Sequence, residues 1–141
     1  MIMKASHDIL PFLNEQLDAH TQSMGKQPLP SYPIALALEL DGQLKGGASG
    51  TLTGQNFHLS LLTVDPNHRG QGYGHQLLTA IEAQARAKGA TLFTCTTFAH
   101  QALHFYQAHD YQIFGKLANC PVAGMQKYYL SKDEADHTLA K

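Results

Sequence analysis

The sequence predicts an α/β (α+β) fold built on a mixed, mostly antiparallel sheet, and three observations predict it. Two turn signals, Asp41-Gly42 and Gly54-Gln55-Asn56, join three β-compatible runs into a meander. The third run leads through a glycine-rich loop into a helical stretch and then a β-branched run, Thr91 to Thr97. That order makes the two flanking strands parallel. Two further runs, Tyr111 to Leu117 and Met125 to Leu130, flank the loop Ala118 to Gly124 and read as a closing antiparallel pair.

The elements follow in order. Met1 to Ala5 reads as a short strand or a frayed end. Ser6 and Asp8 are candidate caps for a helix through Ile9, Phe12, Leu13 and Leu17, whose apolar residues share one face and read as core. Pro11 fits only in its first turn. Met24 to Pro33 holds three prolines and a glycine, and reads as a loop. Ile34 to Leu40 alternates as a half-buried strand, and Gln43 to Thr53 returns beside it. Gly46, Gly47 and Gly50 in that return strand signal a bulge or a close backbone approach. Phe57 to Val64 is the third strand. Tyr73 to Lys88 is a helix with Leu77, Leu78, Ile81 and Ala85 inward, stopped by Gly89. His100 to His109 is a second, shorter amphipathic helix.

Composition narrows the class of function. The chain of 141 residues is long enough for one domain with a core and too short for two. Residues 1–141 therefore read as one domain, with a charged, mobile tail over 132–141. A hydrophobic fraction of 43% and a charged fraction of 15% are those of a globular protein. A net charge of -1 provides no general attraction to nucleic acid or to acidic membranes. No run is long enough to span a membrane, and the start MIMKASHD lacks a signal-peptide core, so the expected location is cytoplasmic. Cys95 and Cys120 have no metal or redox spacing and read as two unpaired thiols.

The loop Arg69-Gly70-Gln71-Gly72-Tyr73-Gly74 is the most informative stretch. It leaves backbone N–H groups unpaired at the positive end of a helix, with no side chains to hold an anion off. It reads as a phosphate cradle, with Arg69 as a further donor. The alternative is a glycine-rich turn that holds nothing. Gly74 is followed by His75-Gln76 rather than Lys-Ser, so the P-loop pattern fails, and a dinucleotide fingerprint would need Gly or Ala at His75. The pattern that fits is R-x-x-G-x-G preceded by Val64-Asp65-Pro66.

This motif closely resembles the acyl-CoA-binding motif of the GNAT superfamily of N-acetyltransferases. Ala102-Leu103-His104-Phe105-Tyr106 through Tyr111 resembles the family's downstream A-x-x-F-Y-x-x-x-G-F motif. The resemblance covers about Ile34 to Leu130. It implies a twisted sheet with helices on both faces and a splayed parallel pair holding the cofactor, acetyl-CoA. Arg69, Gly70, Gln71, Gly72, Tyr73, Gly74 and His75 would take the pyrophosphate, and Leu62, Thr63 and Val64 the pantetheine arm. Gln101 and Phe105 complete the expected cofactor contacts. The Val64 N–H would polarise the thioester carbonyl.

By the same resemblance Tyr106 is the general acid for the leaving thiol, against the plainer reading of an aromatic in an amphipathic helix. Relatives often carry an acid where Ser60 stands. On simple alternation His58 shares that face and is the candidate base, with Glu39 or water as alternatives. Ala99 stands where many relatives have Asn, and Asp110 replaces the motif's Gly, a change the left-handed turn tolerates. His100 and His104 lie four apart on a helix, but no third ligand joins them, so no metal site is expected.

The function implied is acetyl transfer from acetyl-CoA to a primary amine of a small molecule or peptide. Neither nucleic acid nor membrane is an expected partner, and a homodimer is common in such families. Pro28 to Pro33 is a candidate acceptor wall. The alternatives are a non-catalytic acyl-CoA-binding module, which Ser60 favours, and nucleotide binding through the glycine loop.

Overall fold

The computed structural model describes residue 1, residues 3–98 and residues 100–135, with Gln101 described by its backbone alone. Ala99 and residues 136–141 therefore lie outside the description, as do the contact expected of the Gln101 side chain and most of the expected tail. The chain forms two compact units, Met1–Pro30 and Ser31–Lys141.

The first unit carries one helix, α1 (Leu10–Ser23), with Pro11 in its first turn. Ile9 occupies the cap without a side-chain hydrogen bond, so neither Ser6 nor Asp8 caps it. The expectation that its apolar face is core is corrected: no α1 residue is buried, and Phe12 and Leu17 are 54% and 63% exposed. Met1 and residues 3–5 form no strand.

The second unit is a six-stranded sheet with helices. Its strands are β1 (Ser31–Leu40), β2 (Gln43–Thr53), β3 (Asn56–Val64), β4 (Leu92–Thr97), β5 (Gln112–Ala118) and β6 (Gln126–Asp133). Helix α2 (Tyr73–Ala87) joins β3 to β4, and α3 (His100–Gln107) follows β4. The sheet order is β1-β2-β3-β4-β6-β5, with β3 and β4 parallel and every other pair antiparallel.

Strand β1 starts earlier than the prolines suggest, with Pro33 opposite Thr51. An edge strand tolerates a residue that cannot donate to the ladder. Half of the expected Pro28 to Pro33 loop is therefore strand. Asp41 and Gly42 turn the hairpin with φ of 52° and 76°, the two positive angles that the tight turn needs. Gly46 has the role expected of it, since an added Cβ would stand 2.5 Å from the Thr63 carbonyl oxygen of β3.

Phe57, Leu59, Phe93, Cys95 and Leu130 line one sheet face and pack with Leu77, Leu78, Ile81 and Ala85 of α2 and with Leu103 and Tyr106 of α3. Glu82 is buried in this layer. It accepts a 2.7 Å bond from the Tyr111 hydroxyl and pairs with Lys132 at 2.7 Å. β6 outruns its expected end, Leu130, and closes on α2: Glu134 N–H donates to Thr91 O, and Arg86 grips the Glu134 carboxylate with two bonds.

Candidate functional site

The parallel contact of β3 and β4 is short. It covers Asn56 to His58 against Leu92 to Thr94 and then ends. Beyond it β3 stays paired with β2 through Val64, and β4 stays paired with β6 through Thr97. The strands separate because β3 carries an extra residue. Gly50 pairs with Leu59 and Ser49 with Leu61, so Ser60 is a bulge, and a bulge bends its strand. Side-chain parity flips across it. Phe57 and Leu59 are buried, and then Leu62 and Val64 are half-buried while Leu61 is 68% exposed. The simple alternation that grouped His58 with Ser60 is therefore interrupted at Ser60.

The gap opens into a slot of about 630 Å³. One wall is Leu62, Thr63 and Val64 of β3. A second is the loop Arg69, Gly70 and Gly72 running into Tyr73, Gly74 and His75 of α2. A third is Ala102, Phe105 and Tyr106 of α3. Nearly all the expected cofactor contacts thus come together in one place. Gln71 does not line the slot, whereas His68 does and carried no sequence signal of its own; Ala102, the first residue of the second motif, lines it too.

Backbone direction is legible at the β3 wall. The Asp65 N–H donates to Lys45 O on β2 at 2.7 Å, so the Val64 N–H and C=O point the other way, toward the opened side. The Val64 carbonyl accepts from Arg69 Nε at 3.1 Å, which ties the loop to the strand end. The remaining guanidinium nitrogens of Arg69 are left for the slot. Asp65 accepts from the Asn67 N–H, and chiefly for that reason its carboxyl stays below the usual carboxylate range. It starts the short 3₁₀ turn Pro66–His68.

Gly72 caps α2 in the left-handed conformation, φ 87° and ψ 5°. The first intrahelical bond runs from the Gln76 N–H to Gly72 O, so the N–H groups of Tyr73, Gly74 and His75 have no acceptor within the helix. A Cβ at Gly70 or Gly72 would meet no atom within 4 Å. The space in front of these glycines is open. His75 Nδ1 lies 2.7 Å from His109 Nε2.

Tyr106 is 8% exposed, and burial raises its phenol well above its ordinary range, with the nearby Cys95 adding to the effect. It is held as a neutral O–H donor. His58 is the last β3 residue paired with β4, so it marks the vertex of the gap. Its side chain is exposed, with Nδ1 2.9 Å from Thr94 Oγ1, and does not line the slot. Glu39 is exposed at the far end of β1 and is also absent from the slot. Among the described residues, no carboxylate lines the slot and no three His, Cys, Asp or Glu side chains gather as for a metal.

A second groove of about 560 Å³ lies against β1, β2 and β3 and shares Thr63, Val64 and Arg69 with the slot. Its walls mix the small residues Ala35, Ala37, Gly46 and Gly47 with Leu36 and Leu44, and its charged groups besides Arg69 are Lys45 and Asp65.

Comparison with known proteins agrees with this geometry. The family model described as the acetyltransferase (GNAT) family matches residues 5–111. The chain is 33% identical over 114 residues to blasticidin-S acetyltransferase of Streptomyces morookaense, an alignment covering 80% of this chain and 82% of that one. It superposes on an acetyltransferase from Bacillus cereus with a TM-score of 0.84 at 27% identity, over 94% of this chain and 96% of the other. An aminoglycoside 6'-N-acetyltransferase crystallised with coenzyme A shares the fold, with a TM-score of 0.67 at 17% identity over 96% and 98% of the two chains. The chain belongs to the acetyltransferase (GNAT) family.

Proposed function

We propose that the protein is an acetyl-CoA-dependent N-acetyltransferase acting on a primary amine of a small molecule or on a similar exposed amino group. The observation that carries this reading is the slot itself. It is a gap between parallel strands, floored by unpaired backbone donors at the start of α2, with a buried tyrosine on the opposite wall. Coenzyme A fits it on two counts. Its volume lies in the range of ligand sites, and a helix N-terminus with bare glycines is suited to a diphosphate. The aminoglycoside 6'-N-acetyltransferase that shares the fold is a complex with coenzyme A.

Bound acetyl-CoA would supply an acetyl group already activated as a thioester. The loop from Arg69 to His75 holds the diphosphate, and the Leu62 to Val64 edge holds the arm. The Val64 N–H, turned away from β2, is placed to stabilise negative charge on the acetyl oxygen, an effect of about 3 kcal/mol for one donor. Tyr106 donates a hydrogen bond to the departing sulfur. Because its pKa is raised above that of a thiol, it stabilises a thiolate more readily than it surrenders its proton. The acceptor amine enters through the second groove, which meets the slot at Thr63 and Val64. Neither His58 nor Glu39 lines the slot or the second groove, so the amine proton leaves through water.

A non-catalytic acyl-CoA-binding module is the second reading, favoured by the serine at the bulge and by the lack of a carboxylate among the slot-lining residues described. Calorimetry with acetyl-CoA, then thiol release and product mass against an amine panel, separates the two. The panel includes blasticidin S and an aminoglycoside, because relatives are named for them. Binding with transfer supports the enzyme. Binding without transfer to any amine leaves the module, and no binding removes both.

A further inference from the structure

The pair His75 and His109 has a feature that the cradle reading does not use. His109 Nδ1 lies 2.8 Å from the Phe105 carbonyl oxygen. A carbonyl only accepts, so that nitrogen carries a proton. His109 Nε2 and His75 Nδ1, 2.7 Å apart, share one further proton between them. Two neutral imidazoles own two N–H groups in total, and both are now placed. The remaining nitrogen, His75 Nε2, is therefore bare while the pair is neutral. It presents a lone pair, which repels an anion. It becomes a donor only when the pair carries one extra proton.

His75 lines the slot in the first turn of α2, beside the unpaired backbone donors. The pair sits in tilted ring contacts. The His75 and His109 rings are 4.9 Å apart at 38°, and the His109 and Phe105 rings 4.7 Å apart at 45°. The other ionisable groups around it are His68 and Arg69 from the loop, Tyr73 from α2 and Tyr106 from α3. Asp110 follows His109 in the chain.

We propose that His75 and His109 are a proton-sharing pair that binds the diphosphate of a coenzyme A-type nucleotide with uptake of one proton, His75 as the phosphate ligand and His109 as its positioning residue. This rests on the reading that the slot holds coenzyme A. Imidazole is the side chain that ordinarily titrates near neutrality, so an arriving diphosphate need draw only one proton from solvent to convert the outward nitrogen from acceptor to donor. The cradle then gains positive charge as the anion binds.

The test uses dephospho-CoA, which keeps the diphosphate but lacks the 3'-phosphate, a monoester that itself titrates near pH 6. Calorimetry at pH 6, 7 and 8, in buffers of differing ionisation enthalpy, reads affinity and protons taken up. The wild type is expected to take up a large fraction of one proton and to lose affinity as pH rises, by at most about tenfold per pH unit. His75→Gln and His109→Gln should each abolish the uptake and flatten the pH dependence. His104→Gln, at an exposed α3 histidine outside the slot, should retain both. A merely structural role for His109 would alter affinity at every pH alike. Binding without proton uptake, or uptake that survives in both variants, overturns this proposal alone. No binding at any pH overturns the coenzyme A reading and this proposal with it.

Discussion

Replacing Gly72 and Gly89 separately by alanine distinguishes a phosphate cradle from a turn that merely needs glycine. Both residues have positive φ, 87° and 106°, and an added Cβ at either would meet no atom within 4 Å. Collision therefore contributes nothing in either case. The cost is the backbone conformation, about 1–2 kcal/mol for an L-residue, offset by somewhat under 1 kcal/mol because alanine narrows the unfolded ensemble. A net loss of about 1 kcal/mol lowers Tm by roughly 3–6 °C for a chain of this size. The two variants should melt alike. They differ in place, since Gly72 lines the slot and Gly89 follows the other end of α2, about 22 Å away along the axis. Only Gly72→Ala puts a methyl group where the diphosphate would approach. Calorimetry with coenzyme A below both melting transitions should show a loss of at least about tenfold for Gly72→Ala, about 1.4 kcal/mol, and near wild-type affinity for Gly89→Ala. Wild-type affinity in both variants would refute the cradle. Equal losses would show that the effect is stability rather than contact.

Four further outcomes are expected. Tyr106→Phe should lower kcat by roughly ten- to a hundredfold in steady-state assays with little change in the affinity for acetyl-CoA, since only its hydroxyl is removed. Tyr111→Phe deletes the 2.7 Å bond to buried Glu82 and should cost about 1.5–3 kcal/mol in urea unfolding, while Lys132→Met, which strips that carboxylate of its nearest cation, should cost about 3–5 kcal/mol. The hydrogen bonds from Arg86 hold the Glu134 pKa below its ordinary value. That contribution is present above the unfolded-state value near ~4.3 and is lost as pH falls through the folded value. Glu134→Gln should therefore remove a few tenths of a kcal/mol of acid sensitivity below about pH 5, measured by urea unfolding across pH. Cys95 is buried and its thiol is pushed up to about 12, so a thiol reagent at pH 8 should label Cys120 alone in the folded protein, as read by mass spectrometry.

The sequence by itself determined the order of strands and helices and the residues of the phosphate loop. Glycine, proline and apolar periodicity act on the backbone within a few positions, so Asp41-Gly42, Gly72 and the α2 stripe could be read where they stand. Tertiary structure alone decided what those elements do together. Gly50 marks an irregularity in the β2–β3 ladder, but only the structure shows that the extra residue is Ser60, that it bends β3 and flips its faces, and that the slot opens beyond it. Pro33 lies in a strand because β1 is an edge, and an edge exists only once the sheet does. Glu82 looks like a solvated helix carboxylate until Tyr111 and Lys132, 29 and 50 residues away, close on it. The histidine pair joins positions 34 apart for the same reason. Local rules report which way a side chain faces, and only packing chooses the partner that it meets.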